Sequence, residues 1–573
     1  MTFTLSAAAK SALDQEGSIV VTGGPGSGKT TLALLKAQRL LPTLKPGQEI
    51  LFLSFSRAAV RQVLLRCNDV LSSSERKAIT VMTYHAFCLN LLRSHGRLLT
   101  GTPARIIYPG PERLARAEHD GDWDEELRRL ADDEGCYAFS MFAASTAGLL
   151  QRSVCVRELV SDIHPIVILD EFQDTDDSQW ALVQELAKAS LLITLADPDQ
   201  RIFEYQDAID PRRLEQLRSL ISPSEFDLGG DNHRSPNAGV LQFADAVLSN
   251  SPPPVTGDVK VSSYYPWNRD ATVHAHVLWM LSQLRKQGVA SPTVAVLARS
   301  NPFVGDISAM LSAEHTYNTA ALKPIEHHVV WDAQLTAAAA GVVAAILEWP
   351  QHGKTDGVAI ALEAVAHFYD MKYAENPSKS AAADAKKYRG AAAAIRAGGM
   401  PRPAAAKAML DAFSDNIGYN GDATADWLAA RRVIEGNATL TEIATAARFV
   451  RMFRATGEIG GRLAAQWSEH GRYGDARTIV RRTLEVGRVV ANEREPSGVL
   501  LMTIHKSKGK EFDGVVLVEG QYRGSFFDRR EQHPHPASRR LLRVGITRAR
   551  HRVAIVRPYD ALPLYQPSAG VQE

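Results

Sequence analysis

The stretch Ser18-Ile-Val-Val-Thr-Gly-Gly-Pro-Gly-Ser-Gly-Lys-Thr-Thr31 decides the fold. Ser18–Thr22 centres on the apolar, β-branched run Ile19-Val20-Val21 and reads as a short buried strand. Gly23, Gly24, Pro25, Gly26, Ser27 and Gly28 form a loop, and Lys29, Thr30 and Thr31 open a helical pattern that runs on through LALLKAQRLL. Strand, glycine-rich loop and helix in that order make a phosphate-binding loop. The glycines let backbone N–H groups converge on phosphate oxygens, and the helix N-terminus adds favourable dipole charge. Lys29 is expected to reach the β- and γ-phosphates of a nucleotide, and Thr30 to place its hydroxyl on Mg²⁺.

Working outward, Ile166–Leu169 is an all-apolar run of the kind that fills a central parallel strand. It ends in Asp170-Glu171. A carboxylate at that strand end can hold magnesium, and a second acid beside it can orient and deprotonate an attacking water. Leu191–Leu195 is another buried strand, and Gln200 follows it where a polar group could sense the γ-phosphate. The expectation is an α/β protein with parallel sheets.

Composition agrees and narrows the class. The 573 residues suggest about four domain-sized units. Apolar residues are 45% and charged residues 23%, ordinary for a globular chain. The 65 basic and 64 acidic residues leave a net +1. That excludes a globally basic nucleic-acid coat, so any nucleic-acid site must be a local patch or channel. Cys67, Cys88, Cys136 and Cys155 are scattered without a Cys-x-x-Cys pair, which argues against a disulfide framework or zinc ribbon. The N-terminus lacks the basic head and apolar core of a signal peptide. The longest apolar stretch, Leu335–Leu347, is too short for a membrane span and reads as a buried helix. A cytoplasmic protein with no membrane partner is expected.

Eight blocks then occur in a fixed order: GGPGSGKTT (23–31), LSFSRAAV (53–60), TYHAF (83–87), LDEFQDT (169–175), ADPDQRIFEY (196–205), NHRSP (232–236), LMTIHKSKGKEF (501–512) and VGITRAR (544–550). In these the chain resembles superfamily 1A DNA helicases of the UvrD/Rep/PcrA type. The resemblance implies two RecA-like motor domains with two mainly helical inserts, ATP and Mg²⁺ as cofactors, and 3′→5′ movement on single-stranded DNA and single-strand/duplex junctions. It implies that residues 23–31 bind the nucleotide, with Lys29 on phosphate. Thr30 and Asp170 would hold magnesium, and Glu171 would act as the base. Gln173 and Gln200 would couple the γ-phosphate to neighbouring elements, Arg234 and Arg548 would reach it from the second lobe, and Glu511 would contact the ribose. Guanidinium groups supplied from another domain suit a phosphoryl group whose charge sits on its equatorial oxygens.

The same blocks supply aromatic groups for a single-strand track, which is gripped by base stacking in a positive groove. Phe55, Tyr84, His85, Phe203 and Tyr205 are the candidates, with Thr83, Thr503 and His505 as phosphate contacts. Residues 118–135 carry nine acids and two bases, and residues 371–409 carry eight bases and two acids. The basic stretch reads either as a contact for duplex phosphates or as a solvated helical face, and the acidic stretch as a surface turned away from DNA. His533-Pro534-His535 has no matching ligand cluster and reads as a loop. The chain departs from the family at its N-terminus. Relatives carry a glutamine there that reads adenine, and LSAAAKSAL (5–13) has none. Arg57 stands in place of the lysine expected in the block at 53–60.

Motif spacing sets the expected organisation. Residues 1–95 and 161–230 form the first core, interrupted by an insert at 96–160. Residues 231–330 and 496–573 form the second, interrupted by an insert at 331–495. The short stretch after Arg548 is expected to leave no room for a fused nuclease, so that a nuclease partner would act in trans. The leading expectation is an ATP-dependent DNA translocase or helicase, in repair or antiviral defence. A second reading is an ATP-gated sensor of DNA ends that licenses a nuclease. An RNA motor of superfamily 1B is a third.

Overall fold

Short runs of Ile, Val and Leu become strands buried on both faces, which is the setting a parallel sheet requires. The computed structural model describes residues 5–107, 112, 115–116, 119, 121–202, 209–229, 238–330, 333–375, 379–414, 417–448, 458–490, 498–521 and 524–566. The first lobe begins with β1 (Ile19–Thr22), β2 (Ile50–Ser54) and β3 (Ile79–Thr83). A separate parallel pair follows, β4 (Arg105–Ile107) with β5 (Cys136–Ala138). The lobe is completed by β6 (Ile166–Leu169), β7 (Leu191–Ala196) and β8 (Ser224–Asp227). Its sheet has the order β3-β2-β6-β7-β1-β8, parallel throughout.

The second lobe repeats the plan. It contains β9 (Val259–Tyr264), β10 (Val294–Ala298), a hairpin of β11 (His315–Tyr317) and β12 (Ala320–Leu322), then β13 (His327–Val329), β14 (Val499–Thr503), β15 (Phe512–Val518) and β16 (Ala549–Pro558). Its sheet runs β13-β14-β10-β15-β16-β9, again all parallel. Ligands of open parallel sheets sit outside the carboxyl ends of the strands, and the first lobe presents its motif residues there, whereas Glu511 and Arg548 of the second lobe stand just before the amino ends of β15 and β16.

Between β3 and β6 the chain is not purely helical, since β4 and β5 pair there. Nor does it form a wholly separate core. Phe142, Leu149 and Leu150 of the helix Phe142–Arg152 are buried in one cluster with Tyr84, Phe87, Leu182 and Val183 of the first lobe. Among the described residues, Trp123, Leu127 and Ala138 form a small cluster apart. Between β13 and β14 lies a helical bundle built around the helix Ala333–Leu347. Ala339, Ala340, Val342, Val343, Ala344, Ala345 and Ile346 are enclosed on all sides by its neighbours, which explains a helix apolar around its whole circumference. Among the described residues no helix is long and apolar enough to cross a membrane.

The charged stretches settle into local pairs. In the basic stretch, Lys372 meets Glu442 at 2.6 Å, Arg389 meets Asp370 at 2.6 Å, Lys387 meets Asp384 at 3.4 Å, and Arg396 meets Glu363. Half of its eight bases therefore serve the bundle's own surface. In the acidic stretch, Asp122 caps the helix Trp123–Glu134, and Arg129 joins Glu126 and Glu134. The peptide bond before Pro534 is cis, and no metal-binding cluster occurs among the described residues.

The N-terminal helix Ala7–Asp14 is tied down by one lysine. Lys36 is 3% exposed, and its ammonium donates to Ala12 O (3.0 Å), Leu13 O (3.2 Å) and Gln15 O (2.5 Å). It thus caps carbonyls that the helix end leaves open. Burial, with Arg39 nearby, pushes its pKa down from the ordinary lysine value. Gln15 itself is exposed and donates to Glu16 O. Replacing Lys36 by Met keeps the stem and strips these bonds. The expected loss is about 2 kcal/mol in chemical denaturation, and an unchanged midpoint contradicts the capping role.

Candidate functional site

The site is built on three adjacent strand ends, β6, β7 and β1. After β1 the loop turns through Gly26 and Gly28, both left-handed (φ 79° and 88°), and Gly28 is the N-cap of the helix Lys29–Leu40. A side chain at Gly23 would have its Cβ 2.6 Å from Ser27 Oγ. The loop is therefore closed to substitution where it bends most tightly. Lys29 curls back over it, donating from Nζ to Gly23 O at 2.6 Å and Gly24 O at 3.0 Å. Thr30 is half-buried in the first helical turn and Thr31 is buried behind it.

Asp170 ends β6 and accepts from Ser54 Oγ at 3.2 Å. Burial and the neighbouring Glu171 push its carboxyl up to about 7. Glu171 has a left-handed backbone (φ 50°), an unusual conformation for a side-chain-bearing residue and one that clusters at functional sites. Burial alone would raise its pKa. The ammonium groups of Lys508 and Lys29, the bond from Gln173 and the Arg548 guanidinium outweigh burial and hold it below the usual value. Two adjacent carboxyls are thus driven apart, one toward protonation and one kept charged. That is the pattern of separated roles expected of an acid pair.

A polar chain leads from there to the second lobe. Gln173 donates to Glu171 through Nε2, and its Oε1 accepts from the Asp197 N–H at 2.9 Å. Asp197 accepts from Gln200 Nε2 at 2.6 Å. Gln200 Oε1 accepts from Arg548 Nη2 at 3.2 Å. Arg548 is 2% exposed and donates also to Val544 O at 3.0 Å, so its guanidinium is fixed against its own lobe before it crosses to the other. Lys508 crosses as well, pairing with Asp174 and donating to Gln200 O at 2.8 Å. Burial pushes the Asp174 carboxyl up to about 6, with Lys508 opposing. Sequence reading did not single out Lys508, Asp174 or Asp197. All three stand inside quoted blocks, but the pairing of Lys508 with Asp174 joins positions 334 residues apart, too far for spacing to reveal. Glu511 is half-buried and pairs with Arg550 at 3.2 Å.

The residues present fit a magnesium nucleotide. Ser27 Oγ is buried without a hydrogen-bond partner, and Asp170 is a buried carboxyl destabilised by its neighbour, which a divalent cation would relieve. Thr30 and Asp170 are the side chains that would hold the ion.

The single-strand candidates divide. Phe55 is half-buried and lies 5.1 Å from Tyr84, ring to ring. Tyr84 itself is 1% exposed, within the first lobe's core, so it offers a base no face, and the expectation that it stacks on DNA is corrected. It follows Thr83, the N-cap of the helix Tyr84–His95, whose first apolar positions turn inward. Thr83 Oγ1 accepts from Ala86 N–H at 3.2 Å, and His85 is exposed. Thr503 is buried at the end of β14, where its hydroxyl accepts from the Lys506 N–H at 3.4 Å. Thr503 and His505 line a cavity of about 1030 Å³ between the second lobe and the helical bundle, shared with Arg201, Arg299, Lys506 and Arg530. Burial, with Arg299 and Lys508 close by, brings His505 down to about 4, so it is neutral at physiological pH. Phe203, Tyr205 and Arg234 lie outside the described residues, as does the side chain of Arg57.

The cross-lobe pair makes a direct prediction. Lys508→Ala leaves Asp174 buried without its cation, which favours separation of the lobes. Small-angle scattering of the nucleotide-free variant should give a larger radius of gyration than the parent. An identical profile would show that this pair does not hold the lobes together.

Comparison with known proteins agrees with this geometry. Residues 5–122 and 111–219 match the UvrD/REP helicase N-terminal domain, and residues 498–556 match the UvrD-like helicase C-terminal domain. The chain is similar to the ATP-dependent DNA helicase Rep of Escherichia coli K12, 23% identical over 282 residues, covering 41% of this chain and 42% of Rep. It is similar to UvrD1 of Mycobacterium leprae, 22% identical over 304 residues (42% of this chain, 39% of that protein). PcrA of Leuconostoc citreum is 23% identical over 344 residues (50% and 45%). The matches thus span less than half the length of these curated relatives. Two six-stranded parallel sheets, a phosphate loop on one and an arginine of the other bonded to Gln200 beside it accord with these matches: residues 5–219 carry a UvrD/REP helicase N-terminal domain and residues 498–556 a UvrD-like helicase C-terminal domain.

Proposed function

We propose that this chain is an ATP-dependent translocase on single-stranded DNA, with 3′→5′ polarity, that opens duplex at single-strand junctions. The observation that carries the reading is the shared site. Lys29 and Glu171 stand on one lobe, and Arg548 crosses from the other to Gln200. A nucleotide bound there is touched by both lobes, so its hydrolysis changes how they are held.

The chemistry follows from the residues in place. The oxygen of a water attacks the γ-phosphorus, the bond from phosphorus to the β–γ bridging oxygen breaks, and ADP leaves with inorganic phosphate. Glu171, held as a carboxylate by its cationic neighbours, orients the water and takes its proton. Lys29 leaves the loop carbonyls for the phosphates, and Arg548 brings its charge to the equatorial oxygens. Magnesium, when bound at Thr30 and Asp170, neutralises charge on the β- and γ-oxygens. Gln200 touches both Asp197 and Arg548, so it is placed to report phosphate loss to the second lobe.

DNA is assigned to the face that carries Phe55, Thr83 and His85 on the first lobe and the Thr503–His505 cavity on the second. Exposed or half-buried rings there offer stacking, and Arg201, Arg299 and Lys506 line the cavity as phosphate contacts, beside the carboxylates of Asp306, Glu442, Asp528 and Glu531. Opening and closing of the lobes would advance the strand relative to these contacts.

Direction is tested with oligonucleotides carrying biotin at one end and bound to streptavidin. Displacement from the 5′ end, dependent on ATP, is the expected result, and preferential displacement from the 3′ end would contradict the polarity. Arg548→Ala should lower ATP turnover by roughly 10³-fold, and Glu171→Gln should bind nucleotide while losing turnover. Turnover retained by the Gln variant would remove Glu171 as the base.

A further inference from the structure

The helix Pro536–Ile546 places a second arginine in the cleft, five residues before Arg548. Arg543 is 4% exposed. Its Nε donates to Asp245 Oδ1 at 2.8 Å, on the helix Ala238–Ser249 of its own lobe. That bond occupies the back of the guanidinium and leaves its two terminal nitrogens facing the other lobe. Nη1 is buried, makes no hydrogen bond, and lies 3.8 Å from Asp197 Oδ1. Nη2 lies against the phosphate loop: a Cβ on Gly24 would sit 3.2 Å from it.

A buried guanidinium nitrogen without a partner is costly, because it has given up water without a replacement. Such a group is retained where a ligand completes it. The available space is beside Gly24, whose carbonyl is one of the two that hold Lys29 in the nucleotide-free site. An anion that draws Lys29 away from Gly24 enters the region that Nη1 and Nη2 face. Asp197 alone at 3.8 Å is too distant for a hydrogen bond, so it balances the charge without satisfying the donor. Asp197 is also bonded to Gln200, which in turn accepts from Arg548. The two arginines of one helix end therefore bracket the Asp197–Gln200 pair.

We propose that Arg543 is a further ligand of the nucleoside triphosphate, donating from its terminal nitrogens to the outermost phosphate and distinguishing the triphosphate from the diphosphate. This rests on the reading of the cleft as a nucleotide site and deepens it. Asp245 is the positioning residue that turns the fork toward the loop.

The test is calorimetric titration of the full chain with a non-hydrolysable ATP analogue and, separately, with ADP, each with magnesium. Arg543→Ala should weaken the analogue by at least ~10-fold and ADP by less than about threefold, as expected for loss of a charge-assisted hydrogen bond to one phosphate. Arg543→Lys keeps the charge and loses the fork, and should show a smaller loss with the same preference. Asp245→Asn should shift the analogue alone, by a few-fold. Equal loss for both nucleotides, or none, in a folded Ala or Lys variant overturns the proposal, because a packing role moves both alike. Failure of the parent protein to bind either nucleotide would instead overturn the reading of the cleft itself. Should the Ala variant fail to fold, the Lys variant decides.

Discussion

Everything in this structure hangs on charge carried across a cleft between two similar sheets. Lys508 and Arg548 are rooted in the second lobe and end on Asp174 and Gln200 of the first. Each is largely withdrawn from water. A buried ion pair gains little net energy over an apolar contact, because desolvation offsets the attraction, yet breaking one side of it is expensive. Such contacts are poor glue and good sensors. A new charge in the cleft, such as a polyphosphate with its cation, changes the balance for every group in the chain from Glu171 through Gln173, Asp197 and Gln200 to Arg548.

The rest of the fold serves this arrangement. Parallel sheets put the ends of β1, β6 and β7 side by side, so the loop, the acid pair and Gln200 converge without long connections. The Glu171 backbone takes a strained conformation there, and the surrounding sheet supports it. The helical bundle between β13 and β14 has its own fully enclosed core and meets the second lobe across the cavity that holds Thr503 and His505. The helix Phe142–Arg152, by contrast, shares the first lobe's core and is bound to it.

Legibility in the sequence followed the range of the interactions. The phosphate loop is a local object, and its glycines, its lysine and the flanking strand and helix could be read from fourteen consecutive residues. The apolar runs that became β6 and β7 were legible for the same reason, as was the apolar stretch Leu335–Leu347 that forms most of the helix Ala333–Leu347. Tyr84 was not, because an aromatic residue at a helix start can face the solvent or the core, and only the packing of the helix Phe142–Arg152 against it decides. The pairing of β4 with β5 was hidden because each strand has only three residues. Lys508, Asp174 and Arg543 were hidden because their partners lie on the opposite lobe. The basic stretch at 371–409 reads as a charge run until its partners Glu363, Asp370, Asp384 and Glu442 are seen beside it.

The proposed function requires that one nucleotide site, completed by both lobes, be coupled to a DNA strand lying across them. Steady-state ATP hydrolysis with and without single-stranded DNA, using Lys29→Ala as the blank, tests it most directly. Hydrolysis that is slow alone, rises severalfold or more with DNA and vanishes in the blank is the expected result. Turnover that is indifferent to DNA, or absent with DNA present, would contradict the coupling.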